Sequence, residues 1–354
     1  MIGQTASYPT GIIGCGNIFE RYVNGLRKLG GVEIVWCADL DVPLAEKRAG
    51  ELGIAASGSP EDALAGRLGD AGLVVNLTPP TAHAAVARAV LLAGKHVYTE
   101  KPLADTPQAA RQMLELAAER GLQAGGAPDW ILSGTAQTAR EVITSGRIGE
   151  LIGVTAFASH SKVEQWHPNP GIFFARGAGP VLDIGPYYVS ALAYLLGPVS
   201  EIAAVQLAGL RERPVTAPNR LVDSVPVEVA THASALLRFA SGPVGTLTLS
   251  FDAWERTMPF IEIYGSEGTL SLPMPHERDG EVRVKRHSDE DWAVLPQPAE
   301  EYARGIGVVE MAQAIQQGRE PQASGTAACH VLDVLTAIET SSNTGQFVSL
   351  PSDS

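Results

Sequence analysis

Leu73-Val74-Val75-Asn76-Leu77-Thr78-Pro79-Pro80, continuing through His83 to Glu100-Lys101-Pro102, decides how the rest of this chain is read. Leu73 to Leu77 is a short apolar run suited to a buried strand, and Ala82 to Ala93 suits a helix. His96 to Thr99 then gives a second strand, which delivers a glutamate, a lysine and a proline in succession. Pro102 biases Lys101 away from the helical region, so the lysine belongs at a strand end or turn. Parallel sheets place their ligand crevices there. A lysine so placed can serve as an acid or base. An isolated Lys-Pro is more often a solvated lysine at a loop mouth, and it is the flanking sequence that overturns that reading.

Upstream, Gly11-Ile12-Ile13-Gly14-Cys15-Gly16-Asn17-Ile18 reads as an apolar strand, a glycine turn and a helix start. Gly14 permits a tight turn, and Gly16 lets a pyrophosphate approach the backbone at the helix N-terminus. Phe19 occupies the third, normally small position of this fingerprint. Either the helix stands off the strand or Phe19 turns outward. Val32 to Ala38 has strong β preference and ends in Asp39-Leu40-Asp41. Asp39 stands where an acid accepts hydrogen bonds from ribose hydroxyls. A carboxylate there repels a 2′-phosphate, and no arginine follows in the adjacent loop, so NAD is favoured over NADP. Asp41 reads as a turn or helix-capping residue. Gly14, Gly16, Asn17 and Ile18, with Asp39 and Leu40, form the candidate cofactor-binding stretch. A helix from Thr106 to Glu119 and a short strand from Leu122 to Gly125 complete an alternation that predicts a parallel sheet.

At this point the motifs carry a family resemblance. Gly14-x-Gly16, Asp39, Asn76-Leu77-Thr78-Pro79-Pro80-x-x-His83, Ala93-Gly94-Lys95-His96-Val97 and Glu100-Lys101-Pro102 resemble the Gfo/Idh/MocA family. Its members include glucose–fructose oxidoreductase, inositol dehydrogenase and related sugar dehydrogenases. The likeness runs in order along nearly the whole chain and is specific for the family, not for a substrate. It implies that Lys101 is the catalytic lysine beside the nicotinamide. It also implies that Thr78, Pro79, His83 and Glu100 line the nicotinamide half of the cofactor.

Ala127-Pro128-Asp129 breaks the alternation and marks a crossing between domains. A helix from Thr135 to Ser145 and a strand from Leu151 to about Ala158 follow. Further strands are expected over Val199 to Leu207, Val227 to Phe239, Val244 to Phe251, Phe260 to Tyr264 and Thr269 to Leu272. The alternation Ala233-x-Ala235-x-Leu237-x-Phe239 suits a sheet with one buried face. Ser241-Gly242-Pro243 marks a hairpin, and Tyr264 to Gly268 a tight turn. The loop from Arg211 to Pro226 carries three prolines and reads as mobile. The expected fold is an α/β Rossmann domain over 1–128 followed by an α+β domain over 129–354. The second holds a large, open, mostly antiparallel sheet for substrate binding and oligomerisation, and its last helices pack back on the first domain.

The second half holds its own chemical stretch, Gly177 to Tyr188. If it is helical, Asp183 and Tyr187 share a face, although Pro186 can distort the turn. The resembling family usually carries Asp-x-Gly-x-His here, with Tyr187 standing in place of the histidine. Branches resembling dihydrodiol and xylose dehydrogenases also place tyrosine there. A tyrosine is a poor base near neutrality unless a cation such as Lys101 assists it. Tyr188 reads as a core or interface aromatic. Trp166-His167-Pro168-Asn169-Pro170 displays an aromatic ring, an imidazole and an amide, a mixture suited to sugars. A rigid loop whose His167 satisfies its own backbone is the equal alternative, and His160 is the weaker candidate. Late helices over Arg304 to Gln317 and Thr326 to Thr340 have apolar stripes and read as core, with His330 structural.

Composition narrows the class. The 354 residues carry a net charge of −13, which attracts neither nucleic acid nor an anionic membrane. No apolar run approaches the roughly 20 residues of a membrane span. The leader from Met1 to Pro9 lacks signal-peptide character, and three cysteines without metal-type spacing suggest a reduced, cytoplasmic setting and no metal. The leading reading is an NAD-dependent oxidoreductase that moves a hydride to or from a carbinol carbon of a sugar, cyclitol or polyol. Lys101, Asp183 and Tyr187 are its catalytic candidates, and Lys101, Trp166, His167, Asp183 and Tyr187 its substrate-binding candidates. The same fold and cofactor also serve NAD-assisted glycoside cleavage. A catalytically silent NAD- or sugar-binding protein is the third reading. An open sheet with one uncovered face favours a homodimer or homotetramer.

Overall fold

The computed structural model describes residues 7–255, 257–275, 280–298 and 303–351; residues 1–6 of the leader lie outside them. The chain packs as two units, Met1–Leu132 with Glu300–Leu332, and Ser133–Ala299 with Asp333–Ser354.

The first unit is built on strands β1 (Tyr8–Ile13), β2 (Val32–Ala38), β3 (Ala56–Gly58), β4 (Leu73–Asn76), β5 (His96–Thr99) and β6 (Ala124–Gly126). All neighbours are parallel, in the order β3-β2-β1-β4-β5-β6. Helices α1 (Phe19–Leu29), α2 (Val42–Leu52), α3 (Pro60–Leu64), α4 (His83–Leu92) and α5 (Pro107–Glu119) connect them. The expected alternation is therefore present, and every residue of β4 is buried at the centre of the sheet. Chain order reverses between β1 and β4, and a crevice opens at such a switch point beyond the strand ends.

Local chemistry explains the helix starts. Asp41 accepts the Leu44 N–H at 3.2 Å and caps α2, the role its sequence position suggested. Thr106 caps α5 the same way by accepting from Ala109 at 3.2 Å, with Pro107 in the first turn. Phe19 does not turn outward. It is fully buried as the first residue of α1.

His96 opens β5, and its Nδ1 accepts the Gln123 N–H at 2.8 Å. Partial burial pushes its imidazole below the ordinary value of 6.5. The native state thus favours the neutral ring. Its contribution to stability is present above pH 6.5 and is lost as pH falls through the lower folded-state value. His96→Gln should flatten the fall of the urea midpoint between about pH 7 and 5. Parallel acid limbs in parent and variant would remove His96 from the account.

The second unit begins with α6 (Gly134–Thr144) and β7 (Leu151–Ser159), followed by short helices α7 (Val163–Trp166), α8 (Gly171–Phe174) and α9 (Gly179–Asp183), and by α10 (Gly185–Leu196). Strands β8 (Val199–Leu207), β9 (Glu212–Pro214), β10 (Ser224–Pro226), β11 (His232–Phe239), β12 (Val244–Ser250), β13 (Ile261–Gly265) and β14 (Gly268–Leu272) come next. The chain then adds β15 (Val282–Arg286) and β16 (Ala293–Leu295). After α11 (Ile306–Gln317) in the first unit, α12 (Gly325–Thr344) runs into the second, and β17 (Val348–Ser349) follows.

The nine-stranded sheet has the order β16-β15-β14-β13-β7-β12-β11-β8-β17 and is antiparallel except for the pair β7 and β12. Alternate residues of β11 are buried, as its sequence predicts. Helices α6, α9 and α10 pack on strands of this sheet.

Two expectations are corrected. Strand β11 starts at His232 rather than Val227, because the N–H groups at the start of the expected strand bond to separate segments: Val227 to Arg211 and Glu228 to Phe174. The stretch from Arg211 to Pro226 is not a structureless mobile loop. Its ends pair as the β9–β10 ribbon, and Arg213 is buried beneath it. The Arg213 guanidinium donates to Glu164 at 3.0 Å and to Asp252, and lies 4.9 Å over the Phe174 ring. Unpairing that buried cation would be costly, so the ribbon is pinned.

Candidate active site

In the first unit the crevice residues gather where β1 and β4 end. Gly14 has φ +102°, and a Cβ there would lie 2.6 Å from the Leu77 carbonyl carbon. The glycine turn can therefore press against the β4 loop. Gly16 and Asn17 are exposed beside the start of the 11-residue helix α1, and Ile18 provides no side-chain cap. A Cβ on Gly16 would meet nothing within 4 Å, so the turn is open on its outer side. Exposed backbone at an uncapped helix start suits a phosphate group. Asp39 accepts the Cys15 N–H at 2.7 Å through Oδ2 and the Asp41 N–H at 3.0 Å through Oδ1. A carboxylate has further lone pairs on both oxygens, and these can receive ribose hydroxyls. Leu40 beside it is exposed. These groups fit an NAD adenosine and pyrophosphate.

Asn76 shapes the loop that follows β4. Its Nδ2 donates to His83 O at 3.0 Å, and its Oδ1 accepts the Thr78 hydroxyl at 2.7 Å. Thr78 is half-buried and Pro79 exposed at the loop. His83 is tied to the backbone on both sides of its ring. It is 1% exposed, and its ring nitrogens lie 2.7 Å from Thr78 O and 2.6 Å from Pro102 O. These contacts brace the loops that follow β4 and β5.

Glu100 is likewise held by neighbours within the first unit. Its carboxylate accepts the Tyr22 hydroxyl at 2.7 Å and the Lys101 N–H at 2.9 Å, and Arg304 is 3.4 Å away. Burial, and then the Glu100 charge, hold the Tyr22 hydroxyl well above its ordinary pKa, so it remains a donor. Glu100 thereby anchors the backbone of Lys101, which is half-buried just beyond the end of β5. Nothing in the sequence around Glu100 announces Tyr22 or Arg304 as its partners, which are 78 and 204 positions away.

In the second unit, the parallel pairing of β7 and β12 sends the loops after both strands out at one end of the sheet. His160 follows β7, and its backbone N–H donates to Ser250 O at 2.9 Å. Its ring stacks on Trp166 with centroids 6.1 Å apart and meets the edge of Phe251 at 6.3 Å. Trp166 also contacts His167 and Phe173 edge-on and is half exposed. The His167 Nδ1 accepts the Asn169 N–H at 3.1 Å, the local alternative its loop suggested. Asp183 ends α9, with Oδ2 4.0 Å from His160 Nδ1.

The Asp183–Tyr187 helix expected from the sequence is interrupted. Helix α9 ends at Asp183 and α10 begins at Gly185, with Ile184 between them. Pro186 has no N–H to donate to Leu182, which favours the break seen at this point. Tyr187 is half-buried in the first turn of α10, and Tyr188 is fully buried, as a core aromatic should be. Among the described residues, no group of three or more His, Cys, Asp or Glu is arranged to hold a metal ion. None of their helices is long and apolar enough to cross a membrane.

Comparison with known proteins agrees with this architecture. A model described as oxidoreductase family, NAD-binding Rossmann fold, matches residues 9–125, and one described as GFO/IDH/MocA C-terminal domain matches residues 136–271. The chain is 27% identical over 343 residues to 1,5-anhydro-D-fructose reductase of Ensifer adhaerens, covering 95% of this chain and 96% of that one. It is 26% identical to levoglucosan dehydrogenase of Pseudarthrobacter phenanthrenivorans over 253 residues. That alignment covers 65% of this chain and 63% of the relative's length. An NAD binding oxidoreductase from Klebsiella pneumoniae superimposes with a TM-score of 0.86 at 26% identity, covering 98% of this chain and 100% of that one.

Proposed function

The chain belongs to the Gfo/Idh/MocA family of NAD-binding oxidoreductases, and from that premise we propose that it moves a hydride to or from a carbinol carbon of a sugar, cyclitol or related polyol. The observation that carries the sugar assignment is the half-exposed Trp166, stacked on His160 with Asp183 at 4.0 Å. An aromatic face beside a carboxylate suits a ring with apolar faces and hydroxyl edges. Names of relatives support the same class, since a reductase of 1,5-anhydro-D-fructose and a dehydrogenase of levoglucosan both act on sugar derivatives. Both names also describe hydride transfer, which supports that reading over glycoside cleavage.

When bound, NAD supplies the hydride acceptor or donor. Gly14, Gly16, Asn17 and Ile18 would seat its pyrophosphate, while Asp39 and Leu40 would hold the adenosine. Thr78 and Pro79 would border the nicotinamide half. Lys101 would polarise the substrate oxygen, held by the Glu100 anchor on its backbone. Asp183 and Tyr187 would supply acid–base and hydrogen-bonding groups. A screen of sugars and polyols with NAD and NADP, read at the NADH absorbance, tests this. At least one should be oxidised with NAD as the better cofactor. Cleaved glycoside without net NADH formation would replace the assignment with the eliminating chemistry.

We also propose that the protein is a homo-oligomer assembled through the large sheet. Val205, Leu236 and Val244 are more than half exposed on its strands, which leaves apolar surface in need of cover. Sedimentation at micromolar concentration should give a dimer or tetramer. A monomer would leave that surface without this explanation.

A further inference from the structure

We propose that His160, oriented by Asp183, is the acid–base residue that takes the substrate's hydroxyl proton. The assignment rests on the hydride-transfer reading above and deepens it. Its starting point is geometric. His160 Nδ1 is buried, makes no hydrogen bond among the described residues, and lies 4.0 Å from the Asp183 carboxylate. A buried ring nitrogen without a partner is expensive, and the facing carboxylate is the group placed to relieve it. Catalytic hydrogen bonds are often long before substrate binds and tighten afterwards. The ring as a whole is not sealed, since its side chain is 38% exposed. One nitrogen therefore faces the carboxylate while part of the ring stays accessible.

The surroundings fix this imidazole. Its backbone is held to Ser250 by the sheet, and its faces and edges are set by Trp166 and Phe251. His167, by contrast, spends Nδ1 on its own loop. Tyr187 lies beyond the break at Ile184, on a different helix from Asp183. The second unit thus brings together a histidine and an aspartate from β7 and α9, although they are far apart in sequence. A carboxylate so placed selects the tautomer in which Nδ1 carries the proton, leaving the other nitrogen as a base.

In the oxidative direction the carbinol C–H bond breaks, and bound NAD would accept its electron pair as hydride. The O–H bond breaks, its proton passes to the unprotonated nitrogen of His160, and the carbonyl bond forms. Asp183 balances the imidazolium charge until the proton returns to solvent from the exposed part of the ring.

Two measurements test the assignment. Nitrogen-15 spectra of histidine-labelled protein need no substrate. They should show His160 protonated at Nδ1 in the parent and at the other nitrogen in Asp183→Asn. The same tautomer in both proteins would overturn the pairing, whatever the sugar screen finds. For turnover on the best polyol from that screen, His160→Gln should lose about 10²–10⁴-fold in kcat with NADH affinity retained. His160→Ala should recover at least about tenfold when imidazole is added, whereas Tyr187→Phe should not respond to it. A His160→Gln enzyme within a few-fold of the parent would overturn the catalytic role. So would a His160→Ala enzyme that binds NADH, has a parent-like melting temperature and ignores imidazole. If the screen finds no substrate while the tautomer changes as expected, the sugar assignment fails and the pairing stands.

Discussion

Lys101→Ala is expected to bind NADH as the parent does and to lose about 10²–10⁴-fold in kcat. Cofactor affinity should survive because the glycine turn and Asp39 are untouched. The loop itself should also survive, since Glu100 accepts the backbone N–H of residue 101, which an alanine keeps. Glu100 keeps Tyr22 and Arg304 as partners in the variant. On the proposed mechanism, the substitution removes an ammonium beside the reacting oxygen. That interaction strengthens as negative charge develops in the transition state, so the loss belongs in kcat more than in KM. Single-turnover kinetics with NADH titrations separate the two. A variant with nearly full kcat would relocate the polarising group. A variant with weakened NADH binding would instead make Lys101 part of the cofactor seat.

The second large effect concerns Asp39. Asp39→Ala should weaken NAD binding by about 1.5–3 kcal/mol, the range of a hydrogen bond to a charged group, or roughly 10–150-fold in Kd. The upper end is favoured by a feature no sequence motif displays. The same carboxylate accepts the Cys15 N–H at 2.7 Å, so truncation also unties the glycine turn from the end of β2. NADP should lose less, because the carboxylate's repulsion of a 2′-phosphate disappears with it. The ratio of the two dissociation constants should therefore narrow. Calorimetry on both cofactors decides the matter, and equal affinities in the parent would mean that Asp39 faces elsewhere.

Much of the first unit was legible because its signals are local. The strand from Val32 to Ala38 has the bounds its β-branched run predicts, and Thr106 caps the helix it precedes. His83 and Glu100 show where local reading ends. A motif preserves the residue type, but only the folded chain reveals that both ring nitrogens and the carboxylate are already engaged by neighbours. In the second unit, Pro186 warned of the helix break without locating it. The proximity of His160 to Asp183 was not legible, because the two are 23 positions apart and brought together by a separate helix. Arg213 carried no signal at all. Its partners Glu164 and Asp252 are 49 and 39 positions distant, and a proline-rich stretch disguised the ribbon it anchors. Short edge strands such as Ala293–Leu295 were missed because three residues hold no measurable period.

Neither unit is one continuous piece of chain, and this bears on how the protein is made. The nucleotide-binding unit takes in Glu300–Leu332, which contributes Arg304 to the Glu100 anchor, the Gly307 N–H that Asp129 accepts at 3.1 Å, and the Ser324 bridge to Gly125. On a ribosome, those residues emerge only after the whole intervening segment 133–299 has been synthesised. The nascent first unit must therefore wait, with the edge of β6 and the buried carboxylates of Glu100 and Asp129 lacking these late-arriving partners. An expression fragment ending near residue 132 would meet the same deficit permanently, so fusions and truncations of this protein should keep the late segment on the same polypeptide.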